Sequence, residues 1–305
     1  MATQKEVKNR ISSVKNIRKI TRAMEMVAAA RLRRAEQRIA NMRPYAQGIR
    51  KMTQRVADAA SDLPHIGLAE KREDVSKVAI VLVTGDRGLA GSFNSQIVRE
   101  GLRLKREYGV DGTEVAFYTV GRRGTSTLTF RGEEVVDSYV GFTDRPAFTD
   151  AREVSRAVVT AFADGEVDRV DLIYNRYVSA LTQYVRRHTL LPLAKAEVFG
   201  EGIPEETEEE DSELAEAHRK ALWNYEPGPD ELLPKLFEEY VDLSVYRALL
   251  ESAASEHGAR MTAMRSASDN AADMIDDLTL ESNRARQAEI TQEILAGVSG
   301  AEARG

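Results

Sequence analysis

Apolar side chains recur three or four residues apart over roughly the first sixty residues of this 305-residue chain, and again over roughly its last sixty. Such spacing puts them on one face of a helix. Two long helices with one apolar face each bury that face most simply against one another, as a coiled coil. The first stretch carries Val7, Ile11, Val14, Ile17, Ile20, Met24, Val27, Ala35, Ile39, Met42, Ile49, Met52 and Val56. The second carries Leu243, Tyr246, Leu250, Ala253, His257, Met261, Met264, Ala267, Ala271, Met274, Leu278, Ala285, Ala288 and Leu295, a seam rich in Ala and Met.

Charge supports the pairing. The formal net charge of −6 hides an asymmetry, because residues 1–60 hold 15 Lys and Arg against 4 Asp and Glu, whereas residues 242–298 hold 5 Arg against 10 acidic residues. A cationic rod and an acidic one attract as they dock, and helices at the two ends of one chain pair antiparallel. The first helix is expected from about Lys5 to Ala60, broken or bent at Pro44, whose ring clashes with the carbonyl four residues earlier. The second is expected from about Glu231 to Val298. Aligned at the α/β end it overshoots the first by about 12 residues, or roughly 18 Å, so one helical tip should project alone.

Between the rods the pattern changes to alternating strand and helix. Val78–Val83 is a continuous apolar run, as expected of a strand buried on both faces. A Gly-rich turn from Thr84 to Asn94 leads into a helix ending near Gly109. A strand at Val115–Val120, turns, a strand at Val135–Val140, a helix at Ala147–Ala163, a strand at Val170–Asn175 and an extended stretch at Val178–Leu191 follow. Residues 201–213 hold eight acidic and no basic side chains, the composition of a solvated linker. The expected domains are a helix over 1–60, an α/β domain over 75–198, an acidic linker or insertion over 199–230, and a helix over 231–300.

Most enzyme chemistry finds no residues here. The absence of Cys removes disulfides, thiolate metal sites and thiol switches. The four histidines, His65, His188, His218 and His257, show no metal-ligand spacing, and no nucleophile elbow is present. The glycines of the Thr84–Asn94 turn fall as G-x-x-G-x-x-G, matching neither the dinucleotide fingerprint nor a P-loop. Neither a cofactor nor a metal is expected. The cationic first helix lacks base-stacking aromatics and the whole chain is acidic, which argues against nucleic acid. There is no apolar run near 18 residues free of charge, so neither a leader peptide nor a membrane span is expected.

Three segments together resemble one family. Ile11–Glu36 (ISSVKNIRKITRAMEMVAAARLRRAE), Val83–Asn94 (VTGDRGLAGSFN) and Ala259–Glu293, with ARMTAMRSASDNAADMI and NRARQAEITQE, are similar to the gamma subunit of F-type ATP synthase. The resemblance implies α/β plus long helices: an antiparallel coiled coil of the N- and C-terminal helices with a central Rossmann-like α/β domain. It implies a non-catalytic central-stalk rotor that couples proton transport through a ring of c subunits to ATP synthesis. Its implied partners are three alpha and three beta subunits, the epsilon subunit and the c-ring, on the cytoplasmic face of a bacterial plasma membrane and peripheral to it. Matching positions imply contacts with the beta subunit at Met24, Arg87, Ala90, Arg260, Arg286, Gln287, Thr291, Gln292 and Glu293. Ile290, Ile294, Leu295 and Val298 would ride in an apolar sleeve. The acidic stretch has no counterpart in the family pattern, and Ala90 stands where Cys is common.

Overall fold

A computed structural model describes residues 4–59, 67–70, 72, 74–193 and 228–302. The elements are α1 (Gln4–Ala59), a 3-10 turn (Gly67–Ala69), β1 (Lys77–Val83), α2 (Phe93–Val110), β2 (Glu114–Val120), α3 (Arg122–Phe130), β3 (Val135–Tyr139), α4 (Phe148–Ala163), β4 (Arg169–Tyr177), β5 (Gln183–Leu191) and α5 (Pro229–Glu302). Two compact units result. One comprises Met1–Arg31, Leu89–Gly91 and His257–Gly305, and the other Leu32–Gly88 and Ser92–Glu256.

The larger unit is built on a five-stranded sheet of order β3-β2-β1-β4-β5, with β1 parallel to β2 and β4, β2 parallel to β3, and β5 antiparallel at one edge. Central β1 is buried from Val78 onward because both of its faces are covered. Ala79, Val81 and Val83 pack in one cluster with Val154, Val158 and Phe162 of α4 and with Leu233, Phe237, Val241 and Val245 of α5. On the other face α2 approaches so closely that a Cβ at Gly101 would sit 2.7 Å from a methyl of Leu82. Ahead of β1, Asp168 clamps the incoming chain. Burial raises its pKa, but hydrogen bonds from Arg72 (2.7 Å), Ser76 and the Lys77 amide outweigh this and hold it at about 2.

The paired terminal helices are antiparallel, as Met42 packs with Leu243 and Leu250 while Glu25 meets Arg265. α1 runs 56 residues without interruption through Pro44, and α5 runs 74. The α1 seam differs in phase from the expected one. Positions 7, 11, 14, 18, 21, 25, 28, 32, 35, 39, 42, 46, 49, 53 and 56 step alternately by four and three, and all but Arg18 are buried or half-buried. Thr21, Glu25, Ala28 and Leu32 therefore hold the middle of the seam. Ile17, Ile20 and Val27 lie off it and are more than half exposed. On α5, Ile275 rather than Met274 is turned inward, for Met274 is 52% exposed.

Residues 121–131, expected as turns, contain α3. Its sequence RRGTSTLTF is a poor helix former, but Leu128 is fully buried and the Gly124 amide donates to Thr84 Oγ1 at 2.9 Å, so tertiary docking overrides propensity. Of the segment expected as an acidic linker or insertion over 199–230, residues 199–227, with the acidic stretch 201–213, lie outside the described residues.

Candidate functional site

The order of the four parallel strands reverses between β1 and β4, and in open α/β sheets a crevice beyond the carboxyl ends of such strands receives ligands. Here the chain fills its own crevice. α5 crosses it with Ser252 Oγ donating to Val83 O (3.4 Å) and Ser255 Oγ donating to Asn175 O (3.1 Å). A Cβ at Gly85 would lie 2.7 Å from the Glu256 carboxylate, so that position is glycine because a buried acid packs against it.

The rest of the turn is tied internally. Gly85 N donates to Asn94 Oδ1 (2.8 Å) and Arg123 N to Gly85 O (3.1 Å). Asp86 Oδ2 accepts from Gly141 N (2.9 Å) and Thr143 Oγ1 (3.0 Å), and its Oδ1 from Arg122 N (3.1 Å). Gly121, at φ 91°, abuts the Thr84 carbonyl where any Cβ would collide. The first amides of the turn are spent on protein partners, Gly85 N on Asn94 Oδ1 and Asp86 N on Thr143 Oγ1. Arg87 projects from this turn with its side chain 66% exposed, and its guanidinium lies 3.6 Å from Asp144.

In the smaller unit the polar centre is Glu25. Its carboxylate sits in the α1 seam at 8% side-chain exposure, accepting from Arg22 one turn earlier (2.9 Å) and from Arg265 of α5 (3.0 Å). An acid in the seam favours one register of the two helices, because sliding either one takes it from Arg265 and leaves it only Arg22 of its own helix. Met24 beside it is half-buried. Arg260 is only 8% exposed, and Ala90 only 2%, so the side chain that the turn presents to solvent in this unit is Leu89, at φ 63° and 63% exposed.

Farther along α5, Arg286, Gln287, Thr291 and Gln292 are all exposed, with Thr291 Oγ1 donating back to Gln287 O (2.8 Å). Past Ser282 only Ala285 is even half-buried up to residue 292, in keeping with a tip that has no second helix beside it. Ile290 and Ile294 are 47% and 61% exposed, while the side chains of Glu293, Leu295 and Val298 lie outside the described residues. Sequence reasoning missed Glu25, Arg265 and Glu256. The four-three ladder starting at Val7 contained the signal for Glu25, whereas nothing local marked Glu256.

Among the described residues no group of three or more His, Asp or Glu is placed to hold a metal ion, and no helix is long and apolar enough to cross a membrane. Residues 3–303 match the family model described as ATP synthase. The chain is 41% identical to the ATP synthase gamma chain of Rubrobacter xylanophilus over 99% of both chains. It is 40% identical to the sodium ion specific ATP synthase gamma chain of Acetobacterium woodii, over 98% of this chain and 97% of that one. Among solved structures it is similar to a chain of the Tetrahymena thermophila mitochondrial ATP synthase central stalk and c-ring, at 30% identity and a TM-score of 0.57, covering 82% of this chain and 99% of that one. A chain of the Euglena gracilis mitochondrial ATP synthase shares the fold at 18% identity, with a TM-score of 0.64 over 98% and 94% of the two.

Proposed function

The chain belongs to the ATP synthase gamma-chain family, and from that premise we propose that it is the central rotor shaft of an F-type ATP synthase, itself without a catalytic site. It carries torque from proton-driven rotation of a c-ring to three alpha and three beta subunits, with the epsilon subunit bound beside it. ATP is made on the beta subunits. The complex works at the cytoplasmic face of a bacterial plasma membrane, to which this chain is peripheral. In this reading residues 1–60 and 231–300 form the shaft, 75–198 the foot, and 199–230 an acidic linker or insertion.

The observation that supports it most is the antiparallel pairing of α1 with an α5 that is longer by 18 residues and that, from residue 283 to 292, is exposed except at Ala285. One asymmetric axle cannot show the same face to three equivalent neighbours, so each beta subunit is biased differently at any angle. Driving a two-state site from mostly one form to mostly the other takes about 5.5 kcal/mol of differential interaction, within reach of a few desolvated charge contacts plus packing. Met24, Arg87 and Arg260, the backbone at Ala90, and at the tip Arg286, Gln287, Thr291, Gln292 and Glu293 are the contacts proposed for beta. The filled crevice supports a non-catalytic role, because no space is left for a nucleotide at Gly85.

The test is purification of the native complex through a tag on this chain, with the isolated chain assayed beside it. Alpha, beta and epsilon subunits should co-purify, and the isolated chain should neither bind nor hydrolyse ATP. Met24→Lys should assemble normally yet pump fewer protons per ATP hydrolysed. ATP hydrolysis by the isolated chain, or a complex lacking alpha and beta subunits, would overturn the reading.

A further inference from the structure

One groove of the larger unit has a chemistry that the turning of a shaft does not use. It lies between α1, the loop ahead of α4, and α5, with a volume of about 580 Å³. Met42 and Leu243 line it as buried residues, and Tyr45, which also lines it, is 54% exposed. Its aromatic wall is set in advance. The rings of Phe148 and Tyr246 meet edge to face at 5.5 Å, Arg152 lies over the Phe148 ring at 6.0 Å, and the Asp150 carboxylate fixes the start of α4 by accepting from the Ala147 amide at 2.8 Å. A wall already held costs little ordering when something binds.

The rim is of one sign. Arg38 and Arg145 both line the groove, neither makes an ion pair among the described residues, and no carboxylate lines it. Some other cations of the same unit are matched, Arg152 by Asp242, Arg169 and Arg187 by Asp171, and Arg103 by Glu100. Two unmatched guanidiniums flanking an apolar, aromatic slot recognise carboxylates that stand on either side of a large apolar group.

We propose that this groove docks an acidic peptide segment of a partner subunit, with one large apolar side chain seated between Tyr45 and the Phe148–Tyr246 pair and flanking carboxylates on Arg38 and Arg145. The charge complementarity selects an acidic occupant, and the preset aromatic wall selects an apolar anchor in its middle. The proposal rests on this chain working within a multi-subunit complex, as set out above. A segment docked here couples its subunit to α1 and α5 together, because the slot needs side chains from both helices.

The test uses the assembled, purified complex with the photo-crosslinking residue benzoyl-phenylalanine in place of Tyr45. On irradiation, crosslinked peptides mapped by mass spectrometry should come from one partner subunit and carry at least two Asp or Glu around a large apolar residue. The double variant Arg38→Glu, Arg145→Glu should lower the yield about tenfold, the loss expected for removing and reversing rim charges, while Arg38→Lys, Arg145→Lys should retain most of it. Crosslinking to a neutral or basic segment, to the chain's own 201–213 stretch, to a second copy, or to nothing would overturn the proposal, as would a yield indifferent to the charge reversals. Crosslinking of the probe to an added fatty acid, with no peptide crosslinked in its absence, would assign the groove to a small amphipathic anion and also overturn it. A complex that assembles and turns over with no such crosslink leaves the rotor reading intact; a complex that lacks alpha and beta subunits overturns that reading instead.

Discussion

Two stretches of α5, on one continuous helix, live by different rules. From Ala248 to Gly258 every residue is buried, polar ones included, whereas from residue 283 to 292 only Ala285 is even half-buried. The inner stretch is built from Ala253, Ala254, Ser252 and Ser255 between Leu249, Leu250 and His257, small enough to be enclosed on all sides and with hydroxyls that reach neighbouring carbonyls. The outer stretch, NRARQAEITQ, is mostly polar, with Ile290 its one large apolar side chain. A helix without tertiary cover is marginal when it must nucleate, yet adding residues to an existing helix needs only propagation. The inner stretch therefore anchors the helix, and the outer one is carried along by it.

The most severe way to probe this contrast is to cut into the anchor. Leu250→Ala, at a residue 1% exposed, should cost about 3 kcal/mol by the lost transfer energy and the cavity left behind. A urea titration of the isolated chain reads this as a lower midpoint. A cost below about 1 kcal/mol would mean that the inner stretch is not the anchor.

Next in size is Gly85→Ala, which sharpens the contrast by pushing on the anchor from outside. Its Cβ would meet the Glu256 carboxylate at 2.7 Å, and with Glu256 only 2% exposed there is little room to yield. We expect about 2 kcal/mol of destabilisation. In a Glu256→Ala background the same change should cost at least about 1 kcal/mol less, the coupling expected of residues in contact. An unchanged cost would show that Gly85 is needed for its backbone alone.

What the residues disclosed follows the same divide. β1 was legible because Val78–Val83 is apolar without a break, the mark of a strand covered on both faces. The two long helices were legible because their period persists for many turns, longer than chance sustains. The phase of the α1 seam was not, for Ile17, Ile20, Met24 and Val27 form a second three-four series beside Thr21, Glu25 and Ala28. Hydrophobicity favours the first, but antiparallel pairing selected the second, in which Glu25 finds Arg265. α3 was hidden by its threonines, and Glu256 by distance along the chain, since it stands 171 positions after the glycine it packs on. Of the candidate site, the exposure of the tip was foreseeable from its polarity. The burial of Ala90 beneath an exposed Leu89 was not, because it depends on a φ of 63° at Leu89, a value uncommon for a residue other than glycine.

Between anchor and tip, Arg265→Ala tests the seam. Arg265 is 59% exposed, which screens its pairing, and Glu25 keeps Arg22, so the cost should be no more than about 1 kcal/mol. Glu25→Leu should be close to neutral in stability or slightly stabilising, yet it should loosen the register. Cysteines placed pairwise on α1 and α5, in a chain that has none of its own, would report this as disulfides forming at more than one register. A single register in Glu25→Leu would show that packing alone sets the alignment.

The smallest effect belongs to the tip. Ile290→Ser removes an apolar side chain that is already 47% exposed, and should shift the urea midpoint of the isolated chain by no more than about 0.5 kcal/mol. A loss above about 1 kcal/mol would mean that the tip is packed, and the contrast within α5 would fail. If the shift is small, the same substitution separates stability from use: a residue that contributes little to holding the chain together can still be costly where it meets a partner. In the assembled complex Ile290→Ser should then leave subunit composition unchanged while lowering the torque per step, because an apolar contact that exists only against the surrounding ring is the one removed. Unchanged torque would place the working contacts of the shaft nearer the anchor, at Met24 and Arg87, and leave the tip a passive extension of a helix nucleated elsewhere.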